Sequence, residues 1–130
     1  MTEQKTQVVT LPAGADLSAK QFYVVKINST GDAVLSAAKT DRSFGILQNA
    51  PTSGAPAEVC IGGKSKLVSG AALSINDLIG SDAAGKGTVI TVAAGGTVYN
   101  YAVGLVTVAS GAADGIAQVH VFGGGQPLLV

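Results

Sequence analysis

Apolar residues come in short runs along this chain, and polar turn-formers stop each run. "QFYVVKI" (21–27) is aromatic and β-branched, and "STGD" ends it. "AVLSA" follows at hairpin distance. "SFGILQ" comes next, then the turn cluster "NAPTSGAP". "AEVCIG" and "KSKLVS" join around Gly62-Gly63, and "KGTVITVA", "NYAVGLVTVA" and "GIAQVHVF" complete the set. No segment holds a 3.6-residue apolar period. The pattern predicts an all-β fold: a small barrel or sandwich of short antiparallel strands. One exception is expected. "LSINDLIG" predicts a short helical turn with Ser74 as its N-cap.

The two ends differ from the middle. Residues 1–15 contain Val8-Val9 and Leu11, then Pro12 and Gly14. They predict an extended N-terminal arm with one strand-capable segment, Gln7, Val8, Val9, Thr10 and Leu11. Such an arm can add a strand to a partner's sheet, and as an arm it is dispensable for folding. A single β domain is expected over 16–123, and 124–130 is a Gly-rich tail ending in Leu128, Leu129 and Val130. Within the domain there is an echo. "FGILQNAPTSGAPAEVCI" (44–61) matches "VGLVTVASGAADGIAQVHV" (103–121): Gly45 with Gly104, Ala50 with Ala109, and Ala57–Ile61 with Ala117–Val121. Both read strand, loop, strand, with Val59 and Val119 on one face and Cys60 and His120 on the other.

Composition narrows the function. Apolar residues make up 47% and charged residues 12%, about half the usual charged share. Eight basic and eight acidic residues leave no net charge. Nucleic-acid binding by phosphate neutralisation needs clustered Lys and Arg, so it is not expected. A neutral surface favours association instead. The lone Cys60 rules out an internal disulfide. The polar start "MTEQKTQ" has no apolar signal core, so Asn28-Ser29-Thr30 reads as a chance glycosylation match. Gly87 to Ala113 carries no charge, yet its glycines, Asn100 and β-branched residues describe strands and turns, not a membrane span.

Five chemical readings arise, and the residues argue against each. "GSDAAGKGT" (80–88) nearly spells the phosphate loop G-x-x-x-x-G-K-[ST]. Gly87 stands where the magnesium-holding hydroxyl belongs, and "VITVAAGG" after it is strand-like, not helical. A turn with Gly85 at positive φ is the expected structure. Cys60 and His120 sit at matching places of two hairpins, which does not bring them together. One His and one Cys among scattered carboxylates give no metal-ligand spacing. Tyr99 and Tyr101 share a strand face, a small platform that a sugar could use. Lys64 and Lys66 share a face as a solvated edge. No catalytic residue, cofactor, metal or small-molecule substrate is expected.

The order of elements resembles the small capsid decoration, or cement, proteins of tailed bacteriophages. The resemblance rests on "DLSAKQFYVVKINSTGDAVLSA", "RSFGILQNAPTSGAPAEVCIGGKSKLVSGAAL", "LIGSDAAGKGTVI" and "AVGLVTVASGAADGIAQVHVF" and covers about residues 15–122. It implies a compact β fold without enzyme activity, a homotrimer on the outside of the virion, and the major capsid protein as partner. It also implies a capsid-contacting arm, which would give Gln7–Leu11 that role. Leu128–Val130 are expected to pack on a neighbouring subunit. The alternatives are a tail or head-fibre subunit and a carbohydrate-binding β domain for host attachment.

Overall fold

The computed structural model describes residues 6–90 and 99–129 of the 130. The described residues hold strands and no helix. The strands are β1 (Gln7–Pro12), β2 (Val24–Ile27), β3 (Ala33–Leu35), β4 (Gly45–Leu47), β5 (Pro56–Val68), β6 (Leu78–Ser81), β7 (Gly87–Val89), β8 (Tyr99–Val108) and β9 (Ile116–Leu129). They form one curled sheet in the order β3-β2-β4-β5-β9-β8-β6-β7, with β1 also paired to β5. All strand pairings are antiparallel. The all-β expectation holds.

The expected helical turn does not form. Ser74–Asp77 is a tight turn in which Asn76 takes φ 74°. Asp77 Oδ2 accepts the Ser74 N–H at 2.8 Å, and the Asp77 N–H returns to Ser74 O at 3.1 Å. Ser74 is therefore capped by Asp77 and caps no helix. The following "LIG" is claimed by β6, whose pairing with β7 and β8 outweighs the local pattern.

The echo seen in one hairpin extends over the whole molecule. Val25 pairs with Leu35 and Ile27 with Ala33, as Ile79 pairs with Val89 and Ser81 with Gly87. Val24 faces Ile46, as Leu78 faces Leu105. Ile46 faces Cys60, as Leu105 faces His120. Leu11 of β1 lies opposite Ala57 of β5, as Leu67 further along β5 lies opposite Ala117 of β9. Even the irregular residues correspond. Phe22 and Asn76 both take positive φ, and their N–H groups donate to Leu47 O and Val106 O. The fold is thus a tandem repeat, residues 7–62 and 63–122. The first half of β5 belongs to one repeat and the second half to the other. In each, a single parallel bridge (Ala13 to Ala33, Ser69 to Gly87) links the first strand to the third, so the pairings close a circuit.

The cores follow the repeat. Leu17, Val25, Leu47 and Val59 are in the first, and their counterparts Leu73, Ile79, Val106 and Val119 are in the second. Alternation explains the choice. Along β9 the residues from Ile116 to Val121 run exposed, buried, half-buried, buried, exposed, buried, so Ala117, Val119 and Val121 point inward. Each fully buried Val or Leu contributes about 1.5–3 kcal/mol.

One glycine in each repeat sets the strand spacing. A Cβ on Gly45 would stand 2.2 Å from Cys60 O, and one on Gly104 would stand 2.7 Å from His120 O. The matched glycines of the echo are therefore a packing requirement that the two repeats share.

Candidate interaction surface

The segment from Gln7 to Leu11 lies on the domain itself. As β1 it pairs along β5, with Val8 opposite Cys60, Val9 opposite Val59, Thr10 opposite Glu58 and Leu11 opposite Ala57. Val9 and Leu11 turn inward, and Leu11 packs against the first core. The physical reason is that β5 would otherwise leave a bare edge over Ala57 and Val59. Gln7, Val8 and Thr10 face outward and are exposed, Val8 by 46%. Beside them Thr10, Leu11, Pro12, Gly54 and Pro56 line a shallow cavity of about 190 Å³. All these residues are uncharged.

At the other end, the tail residues up to Leu129 continue β9. Leu128 pairs with Asn100 and Leu129 with Tyr99 in β8. Val130 lies outside the described residues.

The phosphate-like stretch is a turn with its own internal anion. Asp82 Oδ1 accepts the N–H groups of Ala84 (2.8 Å) and Lys86 (2.9 Å), and Gly85 takes φ 82°. Those N–H groups are the donors a phosphate would need, and a carboxylate already occupies them. Lys86 reaches away to Asp114, which raises its pKa above the ordinary lysine value. At Gly87 a Cβ would lie 2.3 Å from Leu67 Cδ2, so Leu67 fills the space where a Ser or Thr side chain would begin. The first repeat contains the same turn. Asn28 Oδ1 accepts the N–H groups of Thr30 (3.0 Å) and Asp32 (2.9 Å), and Gly31 takes φ 87°. The glycosylation-like Asn28-Ser29-Thr30 and the phosphate-like loop are thus two copies of one Asx turn.

Cys60 and His120 have separate partners. Cys60 is wholly buried, donates its Sγ–H to Gly62 O at 3.3 Å, and burial pushes its thiol pKa up. That is the opposite of an activated nucleophile. His120 is exposed and meets Phe122 edge-on at 6.0 Å between ring centroids. Among the described residues no three His, Cys, Asp or Glu side chains group to hold a metal. Among the described residues no helix is long and apolar enough to cross a membrane. Tyr101 is half-buried and lies under the Arg42 guanidinium, 5.9 Å from the ring centroid. Lys66 sits 5.8 Å over the Phe22 ring, a contact the sequence did not suggest. No family model matches this chain, and no curated protein matches it either.

Proposed function

We propose that this protein is a non-enzymatic decoration protein that binds the outside of a bacteriophage capsid as a homotrimer and stabilises the shell. The observation that carries the reading is the uncharged outer face of β1, with Gln7, Val8 and Thr10 exposed beside the cavity at Pro12 and Pro56. An uncharged, partly apolar strip on a small rigid β domain suits protein docking better than catalysis. The near-neutral composition fits the same role. On a lattice, modest contacts add through many copies. A protein that binds only the assembled shell stabilises it by linkage. The capsid contact is assigned to the outward side chains of β1, because its inward ones are engaged in the domain's own core.

Electron microscopy of the particle that carries this protein tests the reading. Density at regular positions on the head lattice is expected; density on the tail alone would rule it out. Val8→Lys with Thr10→Lys, which puts a cation and not a second carboxylate opposite Glu58, should weaken attachment to purified capsids while leaving the melting temperature unchanged. Undiminished attachment would remove β1 from the contact.

A further inference from the structure

The tandem repeat uses its own internal contact once and leaves both halves of a second one open. The second repeat's turn, Asp82–Lys86, docks on the first repeat. Gly85 O accepts the Val24 N–H at 2.7 Å, and a Cβ on Gly85 would lie 3.1 Å from Leu35 Cδ2 and 3.4 Å from Ser36 O. The matching turn of the first repeat, Asn28–Asp32, packs on its own repeat at Gly14, as Asp82 and Lys86 pack at Gly70, but its tip has no second-repeat face against it: Gly31 is exposed, and among the described residues a Cβ there would meet no atom within 4 Å. The receiving face shows the same asymmetry. Val24, Ile46 and Cys60 are wholly buried within the second repeat's cluster. Their counterparts Leu78 and Leu105 are only half-buried, and His120 is exposed.

This contact is heterologous, because a turn on one repeat meets a different surface on the next. Such a contact leaves a free turn at one end of the chain and a free face at the other. We propose that these two surfaces meet between copies of this chain, head to tail, with the Asn28–Asp32 turn of one copy on the Leu78 and Leu105 face of the next. The occupant is fixed by the geometry already present. The free turn has the backbone of the docked one, hydrogen bond for hydrogen bond, and the free face has the strand register of the covered one.

The copies of the contact differ at two places, and both weaken the version between chains. Val68 donates its N–H to Phe22 O inside the chain, whereas Pro12 stands at the equivalent place and has no N–H. Tyr23 and Lys86 flank the Val24–Gly85 hydrogen bond inside the chain, and Asp77 and Asp32 stand at the equivalent places. Two carboxylates there repel, so association is expected to depend on concentration. The inference rests on the repeat geometry and not on the capsid reading. Loss of capsid binding with association intact would count against that reading alone.

Light scattering during size-exclusion chromatography tests it. The native chain should gain mass as concentration rises, toward a closed ring or an open series. Thr30→Arg on the turn and Leu105→Lys on the face should each leave a monomer. An equimolar mixture of the two should stop at the dimer, because it retains one sound turn and one sound face. Asp32→Lys, which installs the residue of the second repeat's turn, should strengthen association by up to about fivefold. It does not touch the core, so it remains informative if Leu105→Lys fails to fold. A native chain that stays monomeric at high micromolar concentration would overturn the proposal. So would a two-fold dimer that grows no further, or an Asp32→Lys variant that associates no better.

Discussion

At the residue scale, two glycines and one ion pair make the firmest demands. Gly45 and Gly104 have a carbonyl where a side chain would start. Gly45→Ala and Gly104→Ala should each destabilise by about 1–3 kcal/mol, with Gly45 the more severe because its clash is closer. Thermal unfolding of the two variants checks both the size and the order. The Lys26–Asp41 pair, at 3.0 Å, sets a pH dependence. Partial burial pushes the Asp41 carboxyl up, but the Ala37 N–H and the Lys26 ammonium outweigh it and hold its pKa below the ordinary value. The unfolded chain therefore binds the proton more readily. The stability from this pair is present above about pH 4 and is lost as pH falls through the lowered folded value. Asp41→Asn should cost about 1 kcal/mol at neutral pH, and its urea midpoint should converge with the native one in acid. Lys86 follows the opposite sign: its pKa is raised by Asp114, so that contribution fades only as pH rises through the lysine range.

At the element scale, β1 is a strand of the domain. Removing residues 1–11 would uncover Ala57 and Val59, so the truncated chain should lose cooperative unfolding, as circular dichroism on heating would show. A deletion that melted like the native chain would mean that β1 contributes little to the core. This is also where the sequence was hardest to read. Strand alternation in "QFYVVKI" and "GIAQVHVF" was plain, because half-buried strands write a period of two. The pairing of Val9 with Val59 was not, since strand partners far apart in sequence leave no local mark. The tight turn at Ser74–Asp77 looked helical because Ser74 reads as an N-cap, whereas in the fold Asp77 accepts the Ser74 N–H. One hairpin echo was visible at Gly45 and Gly104, where a steric need preserves the letter. The remainder was hidden, because Asn28 and Asp82, or Phe22 and Asn76, meet the same backbone requirement with different side chains. The turn itself is testable. Asp82→Ala should cost about 1–2 kcal/mol through the two lost N–H acceptors. Magnesium and nucleotide should not restore the loss in the same thermal assay.

At the scale of the whole molecule, the two repeats are one folding unit. β5 crosses from the first to the second, and Val24, Ile46 and Cys60 of the first are part of the second's cluster. Calorimetry should therefore give a single transition, with calorimetric and van't Hoff enthalpies equal. Two resolved transitions would show that the repeats melt apart. The seam between them is Gly62-Gly63, where Gly63 takes φ 90° and the β1–β5 register shifts. That peptide bond has a consequence for how such a chain could have arisen. A single repeat holding the same turn and the same face would have had to find its neighbour by diffusion, and its assembly would have depended on how much was made. Joining two repeats through β5 replaces one encounter in every pair with a tether, so that contact forms at an effective concentration set by chain length alone. In the head-to-tail assembly proposed above, the covalent seam would make half of the contacts independent of dosage and leave the other half responsive to it.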